Sequence, residues 1–405
     1  MTQEPTSRLA KAVGRGLTRR GALGVAALAF ASPAVRAQGT TQGVSASEIV
    51  LGSHLDLSGP VAAGMPALRN GMQLRLDEAN ERGGIHGRRF RLIVEDNGSQ
   101  PQMAVRAANK LVQQDQVFAI LNSFGSATNA ATLKRIVDAG VPVFSPWGAS
   151  SVFRRVSGNS PLLFTTTPNY DTTMKPAVEW MLTNQNRRRV GYIFQEGPLG
   201  ELVGVGLKAA LAGRNMTLAA EASYRPGDVD FSSHVQRMRA ANCDLVCTAT
   251  ITRETIGVMA EVKKIGWNDV AVMTSPPGRT MLVSRLGAAA VEGLFGAGLW
   301  NIIGPNDPNP AVQATWAAMK TRYNQDPDEN ALLSYAYTDM FVRAVEAAGQ
   351  SLTNEGLARA LAGVSSTHPA FYGPTRFKDG HIDPEAVRIE QVRNGAWTPV
   401  SPLIG

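Results

Sequence analysis

Residues 117–144 read VFAILNSFGSATNAATLKRIVDAGVPVF, and this stretch decides the fold. Val117–Leu121 is a short apolar run of strand length. Ser123-Phe124-Gly125-Ser126 then interrupts it with turn-forming residues. Ala127–Asp138 follows with helical periodicity and stops at Gly140, and Val141–Phe144 is apolar again. A strand, a helix and a second buried strand in so short a span predict a parallel pair joined by a right-handed crossover. The same alternation runs outward in both directions. Upstream, the strand Ile49–His54 ends at the turn signal Ser58-Gly59-Pro60 and precedes a helix over Leu68–Asn80. Phe90–Glu95 is a strand, and Pro101–Gln113 a helix with proline at its start. After Thr165-Thr166-Thr167-Pro168 the pattern restarts. Strands are expected at Val190–Phe194, Leu218–Tyr224, Leu245–Thr248 and Val270–Thr274, between helices at Thr172–Asn184, Leu199–Leu211, Phe231–Ala240 and Glu254–Ile265. Further helices are expected at Ala311–Tyr323 and Leu332–Ala348, with closing strands near Thr375–Phe377 and Val387–Val392. The prediction is an α/β protein with two doubly wound parallel-sheet lobes in tandem.

The N-terminus reads as a secretory signal over 1–37. Arg8, Lys11, Arg15, Arg19 and Arg20 precede a short apolar run, Gly21–Phe30, and cleavage is expected after Ala37. That run is too short to span about 30 Å of hydrocarbon. Arg19-Arg20 behind a long polar leader suggests twin-arginine export, the alternative being a general secretory signal with a chance arginine pair. The signal holds six Lys/Arg and one Glu of a chain with net charge +7, so the mature protein is near +2. The basic balance is therefore a targeting feature and gives no reason to expect nucleic-acid binding. The composition, 44% hydrophobic and 18% charged, is that of a globular protein.

The chemistry-bearing residue types are sparse. The histidines His54, His86, His234, His368 and His381 are scattered. His54-x-Asp56 and His381-x-Asp383 lack the further ligands a metal needs, so no metal or cofactor is expected. Cys243 and Cys247 lie four residues apart on an apolar run, about 13 Å along a strand, beyond disulfide reach. No nucleophile–base set appears, which argues against an enzyme. What remains are the loops at the carboxyl ends of the strands, where open α/β sheets bind ligands. The candidates are Leu57-Ser58-Gly59, Ser123-Phe124-Gly125-Ser126 and Pro146-Trp147-Gly148-Ala149-Ser150. Backbone N–H groups and the Ser126 hydroxyl at a helix start suit a carboxylate, unless Ser126 simply caps the helix. Trp147 offers apolar surface, either as a pocket floor or as part of the core.

Several ordered motifs carry a resemblance. They are Leu57-Ser58-Gly59-Pro60, Asn80-x-x-Gly83-Gly84-Ile85-x-Gly87, Asp96 with Pro101-x-x-Ala104-Val105, Ala108-Asn109-Lys110-Leu111-Val112, and Gly140-Val141-Pro142 with Ser145-Pro146. Asp230-Phe231, Val291-Glu292-Gly293 and Tyr372-Gly373-Pro374 follow. In this order the chain resembles the leucine/isoleucine/valine-binding proteins, the type I solute-binding proteins of ABC importers. The resemblance implies two lobes joined by three crossovers, near Thr166, Ala297 and Gly373. Lobe 1 is then 45–166 and 298–372, and lobe 2 is 167–297 and 373–405. It implies a monomer in the periplasm that closes on a small carboxylate-bearing ligand and meets the membrane subunits of an ABC transporter. A ligand sensor of the same fold is the alternative. Residue by residue, the carboxylate-binding serine falls on Ser126 and its apolar neighbour on Phe124. A threonine that meets the carboxylate falls on Ala149, beside Ser150. The second-lobe tyrosines fall near Leu199 and Thr250, and the family's cysteine pair on Ser99 and Gly125. The acid that pairs with the ligand's ammonium falls on Pro277. Either Glu196 or another carboxylate replaces it, or the ligand is an aromatic or other apolar acid without an ammonium group.

Overall fold

The structure is a computed structural model that describes residues 41–405, so the expected export signal at 1–37 lies outside the described residues. The first sheet is built from β1 (Glu48–Leu55), β2 (Arg89–Asp96), β3 (Ala119–Leu121), β4 (Val143–Phe144) and β5 (Leu163–Phe164). All its pairings are parallel, in the order β2-β1-β3-β4-β5. β1 is buried along nearly its whole length, as a strand covered by helices on both faces must be. Helices Met65–Glu81 and Glu329–Ala348 pack together on one face through Leu68, Met72 and Leu76 against Leu332, Leu333 and Ala336.

The second sheet contains β6 (Val190–Gln195), β7 (Ala220–Tyr224), β8 (Leu245–Ala249), β9 (Ala271–Thr274) and β10 (Phe295–Gly298). A three-stranded sheet of β11 (Ser365–Ser366), β12 (Thr375–Lys378) and β13 (His381–Asp383) comes next in the chain. β14 (Val387–Arg393) and β15 (Ala396–Ile404) then join the second sheet antiparallel. The order β15-β14-β10-β9-β8-β6-β7 repeats the strand order of the first sheet in its parallel part: β7-β6-β8-β9-β10 matches β2-β1-β3-β4-β5. The loops after β3 and β8, and after β4 and β9, are therefore counterparts.

The third crossover lies further along the chain than Gly373. Phe377 packs edge-on against Phe144 and Phe164, with ring centroids 5.8 and 5.3 Å apart. Ile382 joins the same core, and His381 bridges to Thr165 beside β5. Residues 375–383, assigned from the sequence to the second lobe, thus pack with the first. Their alternating apolar side chains cover the edge of its sheet, and an uncovered edge is a liability for any sheet. The chain crosses at 384–386. The helix expected over Pro101–Gln113 ends at Asn109 and continues as a π turn, Lys110–Gln114. Cys247 lies on β8 and Cys243 in the turn before it, both buried and unpaired. Among the described residues no helix is long and apolar enough to cross a membrane.

Candidate functional site

The carboxyl ends of both sheets open on one cleft of about 430 Å³. On the first-sheet side, Pro60 and Val61 follow β1, Phe124, Gly125 and Ser126 follow β3, and Trp147 and Gly148 follow β4. These loops are fixed by a buried polar scaffold. Asp56 accepts hydrogen bonds from the Val61 N–H at 3.0 Å and the Ser99 hydroxyl at 2.6 Å, which folds the turn carrying Pro60. Asn97 donates to the carbonyl of Phe124 at 2.9 Å, and Asn129 donates to the carbonyls of Ser123 and Trp147, each at 3.1 Å. The two loops bridge through the Trp147 N–H to Ser123 O at 2.7 Å and the Gly125 N–H to Trp147 O at 3.1 Å. Beneath them His54 is fully buried between Asn97 and Thr132, and burial pushes its pKa down to about 4, so the imidazole is neutral.

Two glycines allow this geometry. Gly125 has φ +107° and Gly148 φ +140°, backbone conformations that side chains rarely adopt. A Cβ on Gly148 would stand 2.8 Å from Ser126 Oγ, so the loop after β4 closes directly on that hydroxyl. Helix Ser126–Asp138 begins after Gly125 with no side-chain cap. Its first amides and its positive end therefore face the cleft unclaimed by a side chain. Ser126 is the first helical residue rather than the cap, which removes the capping explanation for it. Its hydroxyl has no hydrogen-bond partner among the described residues. Trp147 donates its indole N–H to Asn122 Oδ1 at 3.2 Å and stands edge-on to Tyr337, leaving one face for the cleft.

The remaining expectations divide. Leu199 and Pro277 line the cleft from the second-sheet side. Ser123, Ala149, Ser150 and Thr250 are buried and do not line it. Ser123 binds Asn129, and Ser150 donates to Thr167 O at 2.6 Å. Thr250 joins Thr248 and Thr255 in a hydroxyl chain, and Ala149 belongs to the core. The side chains at these positions face the protein interior rather than the cleft. Glu196 is also off the cleft: it accepts from Ser223 Oγ at 3.1 Å and pairs with Arg225 at 3.7 Å.

Sequence reasoning missed Tyr170, Gln195, Trp300 and above all Arg253. Arg253 lies in the first turn of helix Thr252–Lys264, and among the described residues lining the cleft it is the one with a charge. It pairs at 3.2 Å with Glu254, whose side chain is only 1% exposed and whose pKa burial raises. Applying the strand-end rule to β8 as well as β3 would have found it. Glu329 sits beside the cleft-lining Asn330 and accepts the Met281 N–H at 2.7 Å. Burial, with Asp328 next to it, pushes Glu329 up to about 8. Among the described residues no cluster of ligands suits a metal ion.

This arrangement is a site for holding a molecule between two walls, and residues 48–396 match the family model for the periplasmic binding proteins. The chain belongs to the periplasmic binding protein family. Within that family it is similar to the Leu/Ile/Val-binding protein BraC3 of Rhizobium johnstonii, 28% identical over 201 residues. That match covers 49% of this chain and only 54% of BraC3, just over half of its length. The similarity to Leu/Ile/Val-binding protein homolog 8 of Brucella abortus is 22% over 329 residues, covering 78% of this chain and 81% of the relative. Among solved structures, a solute-binding protein of an ABC transporter from R. palustris, in complex with benzoate, superposes with a TM-score of 0.78 at 18% identity. It covers 88% of this chain and 98% of its own. The resemblance to the leucine/isoleucine/valine-binding proteins and the two-sheet fold thus hold, and this periplasmic binding protein has the type I architecture.

Proposed function

We propose that this periplasmic binding protein captures a carboxylic acid that has no amino group, with an aromatic or other apolar body, and delivers it to the membrane subunits of an ABC importer. The observation that carries the reading is the charge of the cleft. An α-amino acid brings an ammonium group, and an ammonium buried without a counter-charge costs several kcal/mol. Pro277 lines the cleft where the resemblance places that acid. Glu196 is engaged by Arg225 away from the cleft, and Glu329 is buried and does not line it. Among the described residues lining the cleft, the one charge is positive. A carboxylate fits the Ser126 hydroxyl and the uncapped amides of its helix, while Phe124, Trp147, Leu199, Ile251, Ile256 and Trp300 enclose an apolar body. The similarly folded R. palustris protein holds benzoate, which accords with this reading. The family and the N-terminal sequence support export to the periplasm.

A thermal-shift screen of amino acids against aromatic and aliphatic acids tests it. A true ligand at 100 times its dissociation constant stabilises the folded state by about 2.7 kcal/mol. Benzoate-type acids are expected to raise the melting temperature and leucine, isoleucine and valine to leave it unchanged. Stabilisation by leucine alone would overturn the proposal.

A further inference from the structure

We infer that Arg253 reads a second oxygen-bearing group on the ligand, so that the solute is an acid carrying a hydroxyl at the end opposite its carboxylate. The inference rests on the acid reading above. The repeated strand order makes the loops after β3 and β8 counterparts. The first leads into helix Ser126–Asp138, and the second into helix Thr252–Lys264. One end of the ligand thus meets Ser126 on the first-sheet wall and the other meets Arg253 on the second. Neither helix has a side-chain cap.

Glu254 does not cancel Arg253. It is buried, and its second carboxylate oxygen has no hydrogen-bond partner. It takes the guanidinium from one side at 3.2 Å, while 46% of the Arg253 side chain stays exposed. A guanidinium has five N–H donors in a rigid fork, so most remain for an oxygen in the cleft. Gln195 ends β6, the strand paired with β8, and its amide lines the same wall. Leu199, Ile251, Ile256 and Pro277 make most of that wall apolar, with Thr252 and Thr280 as its other polar side chains. An unsubstituted apolar acid would bury the guanidinium against carbon. A ligand oxygen would turn that cost into a charge-assisted hydrogen bond. Because the two groups bind opposite walls, such a ligand also bridges the cleft.

The test is calorimetric titration of benzoate and the three monohydroxybenzoates into the wild-type protein, Arg253→Gln and Arg253→Gln/Glu254→Gln. The double variant avoids leaving the Glu254 carboxylate buried without its partner. 3- or 4-hydroxybenzoate, whose hydroxyl lies away from the carboxylate, is expected to bind the wild type about tenfold or more tighter than benzoate, the worth of a hydrogen bond to a charged group. In both variants that preference should shrink to within about twofold, whatever happens to the affinity for benzoate itself. Benzoate binding with no preference for any hydroxylated acid, or a preference that survives in both variants, would overturn the role of Arg253 alone. Failure of all four acids to bind the wild type would overturn the acid reading, and this inference with it.

Discussion

Ser126 stands in the cleft with a hydroxyl that no described protein group uses, at the start of a helix that no side chain caps. Its replacement therefore separates binding from folding. Ser126→Ala is expected to change stability by less than about 0.5 kcal/mol, as for a surface substitution away from any structural feature. It should weaken binding of a carboxylate by about 1.5–3 kcal/mol, the range for a hydrogen bond to a charged group. Denaturant unfolding and calorimetry measure the two, and full affinity in a folded variant would remove Ser126 from the site. The sequence made Ser126, Phe124, Gly125, Trp147 and Gly148 legible because a turn between an apolar run and a helix leaves few other places for them. It did not reveal which way side chains at neighbouring positions point. Ala149, Ser150 and Thr250 are within a residue or two of cleft-lining ones, yet each faces the interior: Thr250 directly after β8, where side-chain direction alternates, and Ala149 and Ser150 at the start of a helix, Ser150–Val156, packed into the core. Arg253 escaped notice because its place depends on the loop after β8 being the counterpart of the loop after β3. That equivalence lies in the sheet order and not in the local pattern.

The parallel strands and long helices were legible from their periodicity, whereas short elements were not. β5 is two residues, and only its pairing with β4 makes it a strand. β15 mixes two prolines and polar residues into nine, so it reads poorly as an edge strand although it pairs along β14. The join of β14 to the sheet has a buried electrostatic anchor. Arg279, fully buried in the loop after β9, donates Nε–H to Glu390 of β14 at 2.6 Å and lies 5.9 Å from the ring of Trp300. Removing one partner of a buried pair leaves the other charge uncompensated and costs about 3–5 kcal/mol. Glu390→Ala is expected to lose stability in that range by urea unfolding, whereas an Arg279→Met/Glu390→Leu double variant should recover much of it. A loss below about 1 kcal/mol in the single variant would contradict this account of the pair, which Arg388 also joins at 3.1 Å from Glu390.

Over the whole molecule, three crossovers at 165–169, 299–302 and 384–386 join the sheets on either side of the cleft. Side chains in and beside them are bonded: Glu385 accepts from Thr172 Oγ1 and binds His381, each at 2.8 Å, and Arg388 donates to Asn301 at 3.0 Å. The two-lobe organisation was visible in the restart of the strand–helix alternation after Thr165-Thr166-Thr167-Pro168. The position of the third crossover was not, because Phe377 and Ile382 choose their lobe by packing against Phe144 and Phe164. If the crossovers act as hinges, a ligand that touches both walls draws the lobes together as rigid bodies. The molecule is expected to close on an acid and not on an amino acid. Small-angle X-ray scattering of the same preparation, alone, with saturating benzoate and with leucine, tests it most directly. The account predicts a smaller radius of gyration with benzoate and no change with leucine. Contraction with leucine and none with benzoate would contradict it.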